Sequence, residues 1–194
     1  FEEAKFDYFN PVAVIETQEQ VEEEEITTVS LRGEYEFRDL LPGLRASVFY
    51  SLENQNNFFR GFASKSNKIS GGATSTAFGT GNAYRNTFES QEQLFETTLN
   101  YFADIEELRL EALAGYSFTE IIEEGTNASG GDFVTDAVGF SNLSYAQDFS
   151  QGEGFVGSFE NNHIIVGGFG RINLNWDNTY FVNASIRREA SSWF

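Results

Sequence analysis

Apolar and polar residues alternate with a period of two along much of the chain. In residues 28–38 the odd positions are apolar or glycine from Val29 to Phe37, and the even positions are polar or charged from Ser30 to Arg38. Because successive side chains of a strand point to opposite faces, this pattern predicts a strand with one apolar and one polar face.

The alternating runs occur in pairs, and each pair predicts a β-hairpin. The paired runs are 28–38 with 44–52, 95–101 with 108–118, and 164–174 with 180–186. Pro42 and Gly43 separate the first pair, since proline presets φ and glycine supplies a positive φ at a turn. The sequence therefore predicts an all-β fold, an antiparallel meander of about six long strands.

The predicted connections differ in length on the two sides of the meander. Short turns are expected at about 39–43, 104–107 and 176–179. Long segments are expected at about 1–27, 54–93 and 119–163. This asymmetry is typical of outer-membrane barrels, whose short turns are periplasmic and whose long loops are extracellular. Trp176 and Tyr180 flank one turn, which predicts an aromatic girdle at a membrane interface.

A secreted, water-soluble β-sandwich that binds glycans or acts as an adhesin is the alternative. It would show shorter runs, with turn signals every 8–12 residues or so. In a membrane the six strands are too few to close, because the smallest bacterial single-chain barrels use about eight. The absence of Met points the same way. We therefore expect an incomplete segment of a larger transmembrane barrel, without a plug.

Composition excludes several classes of function. The chain has 194 residues, 12 Lys and Arg against 30 Asp and Glu, and a net charge of −18. Such an acidic chain repels phosphate backbones, so no nucleic-acid partner is expected. The 21 Phe, 8 Tyr and 2 Trp residues exclude intrinsic disorder. The absence of Cys excludes disulfides and thiolate chemistry.

Several strings, in order along the chain, resemble the barrel of SusC/RagA-type TonB-linked (TonB-dependent) outer-membrane transporters. They lie at 10–13 (NPVA), 41–44 (LPGL), 112–118 (ALAGYSF), 133–143 (FVTDAVGFSNL), 169–173 (FGRIN) and 185–192 (SIRREASS). The string at 133–143 is similar to the family's Asp-x-x-Gly-x-x-Asn-Leu pattern. Glu189-Ala190 departs from the Asp-Gly that the family tends to have.

The resemblance implies a place for the whole chain, 1–194, in the wall of a barrel of about 22 strands in the bacterial outer membrane. It also implies import of oligosaccharides or peptides, a SusD-type lipoprotein lid, an N-terminal plug and coupling to the TonB complex. Neither the plug nor the TonB-contacting segment is recognisable in the sequence.

Candidate catalytic chemistry is sparse, and we expect no enzyme activity and no cofactor or metal site. His163 is the only histidine, and neither a Gly-x-Ser-x-Gly nor a His-Glu-x-x-His motif occurs. The pairs Glu106-Glu107 and Glu123-Glu124 resemble a glycosidase pair in composition, but adjacent strand residues point to opposite faces. The acidic segments lack the Asp-x-Asp-x-Asp spacing of a calcium loop.

Aromatic residues in the long segments are the candidates for contact with substrate or partner. They are Phe62, Tyr84, Phe133, Phe140 and Tyr145. Aromatic faces can dock sugars through apolar C–H surface. The alternative interpretation, which we favour at this stage, is that these side chains pack the loops against one another or against a partner lid.

Overall fold

The computed structural model describes residues 11–67 and 79–192. The parts of the predicted long segments at 1–10 and 68–78, including Asn10 of the NPVA string, lie outside the described residues. The elements are α1 (Pro11–Thr17), β1 (Gln18–Glu36), β2 (Leu44–Ala63), β3 (Asn82–Ile105), β4 (Leu108–Gly131), two 3₁₀ segments (Asp136–Ser141 and Leu143–Tyr145), α2 (Gln147–Gln151), β5 (Phe155–Trp176) and β6 (Tyr180–Ser191).

The six strands form one antiparallel sheet in the order of the sequence, β1-β2-β3-β4-β5-β6. The predicted all-β meander of six strands is confirmed. Across residues 11–67 and 79–192 there is no second sheet to pack face to face with the first, so the β-sandwich alternative is wrong. An open sheet leaves the apolar faces of its strands without a second layer among the described residues.

The strands are much longer than their alternating runs. β2 contains 20 residues, and β3 and β4 contain 24 each. They extend through much of the segments 54–93 and 119–163, so those segments are not long loops over their whole length. Strand pairing requires only backbone groups, whereas alternation also requires one apolar face. Polar residues such as those at 53–57 (ENQNN) remove the alternation without ending β2.

The short turns lie close to where they were predicted. β3 and β4 are joined through Glu106 and Glu107, and β5 and β6 through residues 177–179. Asp177 and Asn178 have φ values of 51° and 49°, and the amide of Thr179 donates to the carbonyl of Trp176 over 3.0 Å. Two consecutive positive φ values give the turn twist that suits a hairpin, and Asp and Asn tolerate them better than most residues.

The chain divides into two compact units, each assembled from several stretches. We call residues 26–55, 90–123 and 161–194 the turn unit, because they include the three short turns. We call residues 1–25, 56–89 and 124–160 the loop unit, because they include the connection between β4 and β5. The unit names are used below only for the residues that the structure describes.

Candidate functional site

The turn unit has one polar and charged face. A groove of about 520 Å³ on it is lined by side chains that include Glu34, Glu36, Arg45, Ser47, Asn100, Glu111, Arg171 and Asn173. Asn173 donates to the Glu111 carboxylate over 3.2 Å, and the Ser47 and Thr98 hydroxyls are 2.6 Å apart. These contacts join residues on neighbouring strands, so the polar alternation of the sequence becomes a continuous polar surface.

The opposite face of the turn unit is apolar and exposed. Leu31 and Ile186 are 73% and 76% exposed. A groove of about 480 Å³ on this face is lined by side chains that include Leu99, Ala112, Ala114, Ile172, Ala184 and Ile186. Exposed apolar side chains that lie side by side on one face mark contacts with protein, ligand or membrane. The alternation thus gives one face suited to water and one suited to an apolar medium.

The register of β5 and β6 arranges the apolar face in rows. The facing pairs on it are Trp176 with Tyr180, Leu174 with Val182, Ile172 with Ala184, Gly170 with Ile186, and Gly168 with Arg188. The apolar pairs therefore begin at the turn and continue to Gly170. On β6 this column of apolar pairs ends at Arg188, whereas on β5 it continues with Val166 and Ile164.

An aromatic pair occupies the end of this column next to the turn. The ring centroids of Trp176 and Tyr180 are 6.2 Å apart, and both side chains are exposed. The indole Nε1 of Trp176 donates to the Glu107 carboxylate over 3.3 Å. An apolar ring with one polar atom satisfied suits a boundary between an apolar and a polar medium. Their role in a girdle remains a prediction.

The five predicted contact aromatics all lie in the loop unit, but in different environments. Phe133 is completely buried with Ala83 and Ala146, and its ring meets that of Phe62 edge-on at 5.5 Å. A fully buried ring has no surface for a ligand, so the structure favours the packing interpretation for Phe133. Tyr145, in contrast, is 45% exposed.

The remaining two candidates have one polar or charged partner each. Tyr84 accepts a hydrogen bond at its hydroxyl from Gln20 over 2.9 Å. The Arg60 guanidinium lies 5.6 Å from the Phe140 ring centroid, a cation–π distance. Arg60 also pairs with the Glu23 carboxylate at 2.5 Å. Sequence reasoning did not single out Arg60, because an arginine inside a strand has no distinctive pattern.

A groove of about 610 Å³ in the loop unit brings two of the candidates together. Its lining includes Ile15, Glu16, Phe62, Asp136 and Phe140. The Lys65 amide donates to the Asp136 carboxylate over 3.0 Å, which fixes one wall. Rings beside carboxylates can hold an amphipathic ligand, with the rings covering its apolar surface and the carboxylates accepting its hydrogen bonds.

A buried carboxylate holds the connection between β4 and β5 in place. Asp148 is 2% exposed, and its carboxylate accepts a hydrogen bond from the amide of Gly131 over 2.7 Å. Sequence reasoning missed this residue, since its partner amide is distant in the sequence. Asp148 is a structural group, because a buried carboxylate is retained only where donors satisfy it.

The described ranges contain no cluster of potential metal ligands. No three His, Cys, Asp or Glu side chains in residues 11–67 and 79–192 are close enough together to hold a metal ion. His163 lies within β5, half-buried. In the same described ranges, none of the helices has the length and apolar character needed to cross a membrane.

The sequence of this chain is similar to part of one known receptor. No family model matches the chain. The TonB-dependent receptor P3 of Formosa agariphila is 30% identical over 190 residues, which are 97% of this chain and 18% of that protein. The chain resembles a segment of a TonB-dependent receptor. It spans less than a fifth of the length of that TonB-dependent receptor.

Solved structures agree with this chain in fold. The RagAB peptide transporter matches with a TM-score of 0.76 and 17% identity, over 92% of this chain and 19% of that chain. The RagAB peptide importer in its open-open state matches with a TM-score of 0.78 and 18% identity, over 92% of this chain and 18% of that chain. The predicted resemblance to SusC/RagA-type TonB-linked transporters is confirmed.

Proposed function

We propose that this chain forms part of the wall of an outer-membrane, TonB-dependent nutrient transporter. The observation that carries the proposal is the two-faced turn unit. Its apolar face would lie against lipid and its polar face would line the lumen. The reverse arrangement would place the side chains of Glu34, Arg45 and Arg171 in hydrocarbon. Each basic residue there would cost about 2–4 kcal/mol near the bilayer midplane.

The length of the apolar column supports this assignment. On the apolar face of β5 the column runs from Ile164 to Trp176. Twelve residue steps of extended chain cover about 40 Å. At a tilt of about 45° this corresponds to about 28 Å along the membrane normal, close to the thickness of a hydrocarbon core. The column is therefore long enough to cross a bilayer once.

We further propose the topology and the partners of the complete transporter. The turns at 37–43, 106–107 and 177–179 would face the periplasm, and the connection at 132–154 would be extracellular. A SusD-type lipoprotein would cover the extracellular side. The TonB complex would supply energy through other parts of the protein. The matched RagAB structures are of a peptide transporter, and the sequence resemblance also admits oligosaccharides.

The substrate contacts that we propose involve Tyr145 and the groove between Phe62 and Phe140. Exposure of Tyr145 and the mixed apolar and acidic lining of the groove support this assignment. In the complete transporter, Tyr145→Ala should weaken substrate binding while leaving the amount of folded protein unchanged. Val134→Ala, at another exposed position of the same connection, is the matched control and should bind substrate like the wild type. Equal substrate affinity in wild type and Tyr145→Ala would remove Tyr145 from the site.

The wall assignment is tested by probing the two faces separately. These 194 residues contain no Cys, so single cysteines report on their own positions once any cysteines elsewhere in the full-length protein are replaced. Spin-labelled Leu31→Cys and Ile172→Cys should be accessible to oxygen dissolved in the bilayer. Labelled Glu34→Cys and Asn173→Cys should not be. Equal access at both faces would contradict a lipid-facing wall.

A further inference from the structure

Arg188 follows the apolar positions of β6 in the β5–β6 hairpin. Arg188 faces Gly168 across the two strands, on the same side as Ile186 and Ala184. It is exposed, and the described residues provide no hydrogen bond, ion pair or aromatic ring for its guanidinium. Its neighbour Arg187, on the opposite face, pairs with Glu189 and lies 5.7 Å from the Phe169 ring centroid.

The position of Arg188 along the membrane normal determines which groups its guanidinium can reach. Arg188 is eight residues beyond Tyr180, which is about 27 Å of extended chain. At a tilt of 35–45° this is about 19–22 Å along the membrane normal, within an apolar band about 25 Å tall. If the proposed function is correct, the Arg188 backbone lies inside the apolar band, and its long side chain can reach the headgroups of the leaflet opposite the Trp176–Tyr180 turn.

An open trough adjoins the guanidinium. A Cβ atom added at Gly168 would meet no atom within 4 Å, so the strand surface there is open. The apolar groove next to it includes Gly170, Ala112 and Ala114, with the larger Leu99 and Ile186 also in its lining. Small residues between larger ones leave space on this face for an apolar chain. Such a chain brings no polar atoms that would need hydrogen bonds.

We propose that Arg188 and this trough bind one phosphorylated glycolipid of the outer leaflet, of the lipid A type. The guanidinium would donate two hydrogen bonds to a phosphate, a geometry for which arginine is well suited. One acyl chain would lie in the trough between Ile172 and Ile186. The proposed topology, with the 177–179 turn in the periplasm, selects the outer leaflet. The inference rests on the proposed function and adds a specific lipid to it.

The test uses the full-length transporter in phosphatidylcholine nanodiscs doped with lipid A. The lipid A retained per protein would be measured by mass spectrometry after purification. Arg188→Gln should lower retention about tenfold, since a charge-assisted, bidentate contact is lost. Gly168→Leu should lower it as well, by placing a bulky side chain next to Arg188 where the surface is open. Arg187→Gln on the other face is the matched control and should retain lipid A like the wild type.

Wild-type protein with dephosphorylated lipid A keeps the test independent of any folding defect in the variants. Retention should fall about tenfold with that lipid. Equal retention of both lipids, or equal loss in Arg187→Gln and Arg188→Gln, would overturn the proposal. If Arg188 instead pairs with an acidic side chain of a neighbouring strand, Arg188→Gln should retain as much lipid A as the wild type. That result would also overturn the proposal. If lipid A retention does not depend on Arg188 but the spin labels still distinguish the two faces, the lipid site is wrong and the wall assignment is unaffected.

Discussion

The ring of Phe169 on β5 lies directly over Gly115 on β4. A Cβ atom at Gly115 would overlap the ring, with Phe169 Cε1 2.8 Å away. A glycine inside a strand loses more conformational entropy than other residues, and a covering aromatic ring from the next strand compensates for the missing side chain. The same relationship recurs between Gly61 and Tyr84 in the loop unit.

Gly115→Val should destabilise the folded protein by about 1–3 kcal/mol, because the new side chain must displace the Phe169 ring. Gly33→Ala is the control, since nothing lies within 4 Å of a Cβ atom there. Urea unfolding of the full-length protein in detergent micelles measures both. Adding Phe169→Leu to Gly115→Val should recover part of the loss. A double variant that is no more stable than Gly115→Val would mean that the ring is not the obstacle.

The buried ring of Phe133 supports a second prediction, which concerns the connection at 132–154. Phe133→Ala should cost about 3–5 kcal/mol locally, because it leaves a cavity among Ala83, Ala146 and Phe62. We expect faster proteolytic cleavage of this connection, with the β-strands still protected. The neighbouring Val134, which is 63% exposed, provides the control. If Val134→Ala accelerates cleavage as strongly as Phe133→Ala, the core does not hold the connection.

The positive φ of Asn178 supports a third prediction, for the turn between β5 and β6. Asn178→Val should destabilise the hairpin by about 1–2 kcal/mol, because a β-branched residue is strained at a φ of 49°. Asn178→Gly should be neutral or stabilising at the same position. Thermal unfolding in detergent, followed by circular dichroism, compares the two variants. Equal melting temperatures would mean that the turn relaxes to another geometry.

Sequence patterns predicted the parts of the fold in which one face is apolar. The six strands and their pairing follow from alternation and turn residues, as between residues 28–38 and 44–52. The continuation of β2 to Ala63 could not be predicted from alternation. Beyond residue 52 both faces of the strand carry polar or aromatic side chains, and only backbone pairing continues the strand. The buried position of Phe133 was also beyond the sequence, since its neighbours Phe62 and Ala146 come from distant segments.

The candidate site was predicted unevenly for the same physical reason. Trp176 and Tyr180 flank a short turn, and their contact follows from local geometry. Phe62 and Phe140 line a common groove only because the connection between β4 and β5 folds back within the loop unit. Arg60 contacts Glu23 and the Phe140 ring, and the Asp148 carboxylate contacts the Gly131 amide. Contacts of this kind have no periodicity by which a sequence could reveal them.

Two adjacent residues of β5 test the difference between the faces most directly. Ile172 lines the apolar groove, and Asn173 lines the polar groove and donates to Glu111. Ile172→Arg should make folding into a bilayer less favourable by about 2–4 kcal/mol, because it places a cation near the hydrocarbon midplane. Asn173→Arg should cost little, because the lumen is polar and Glu111 is an acceptor within reach. Refolding of the full-length protein into vesicles across a denaturant series measures both values. Equal costs for the two variants would mean that the sheet does not separate lipid from water.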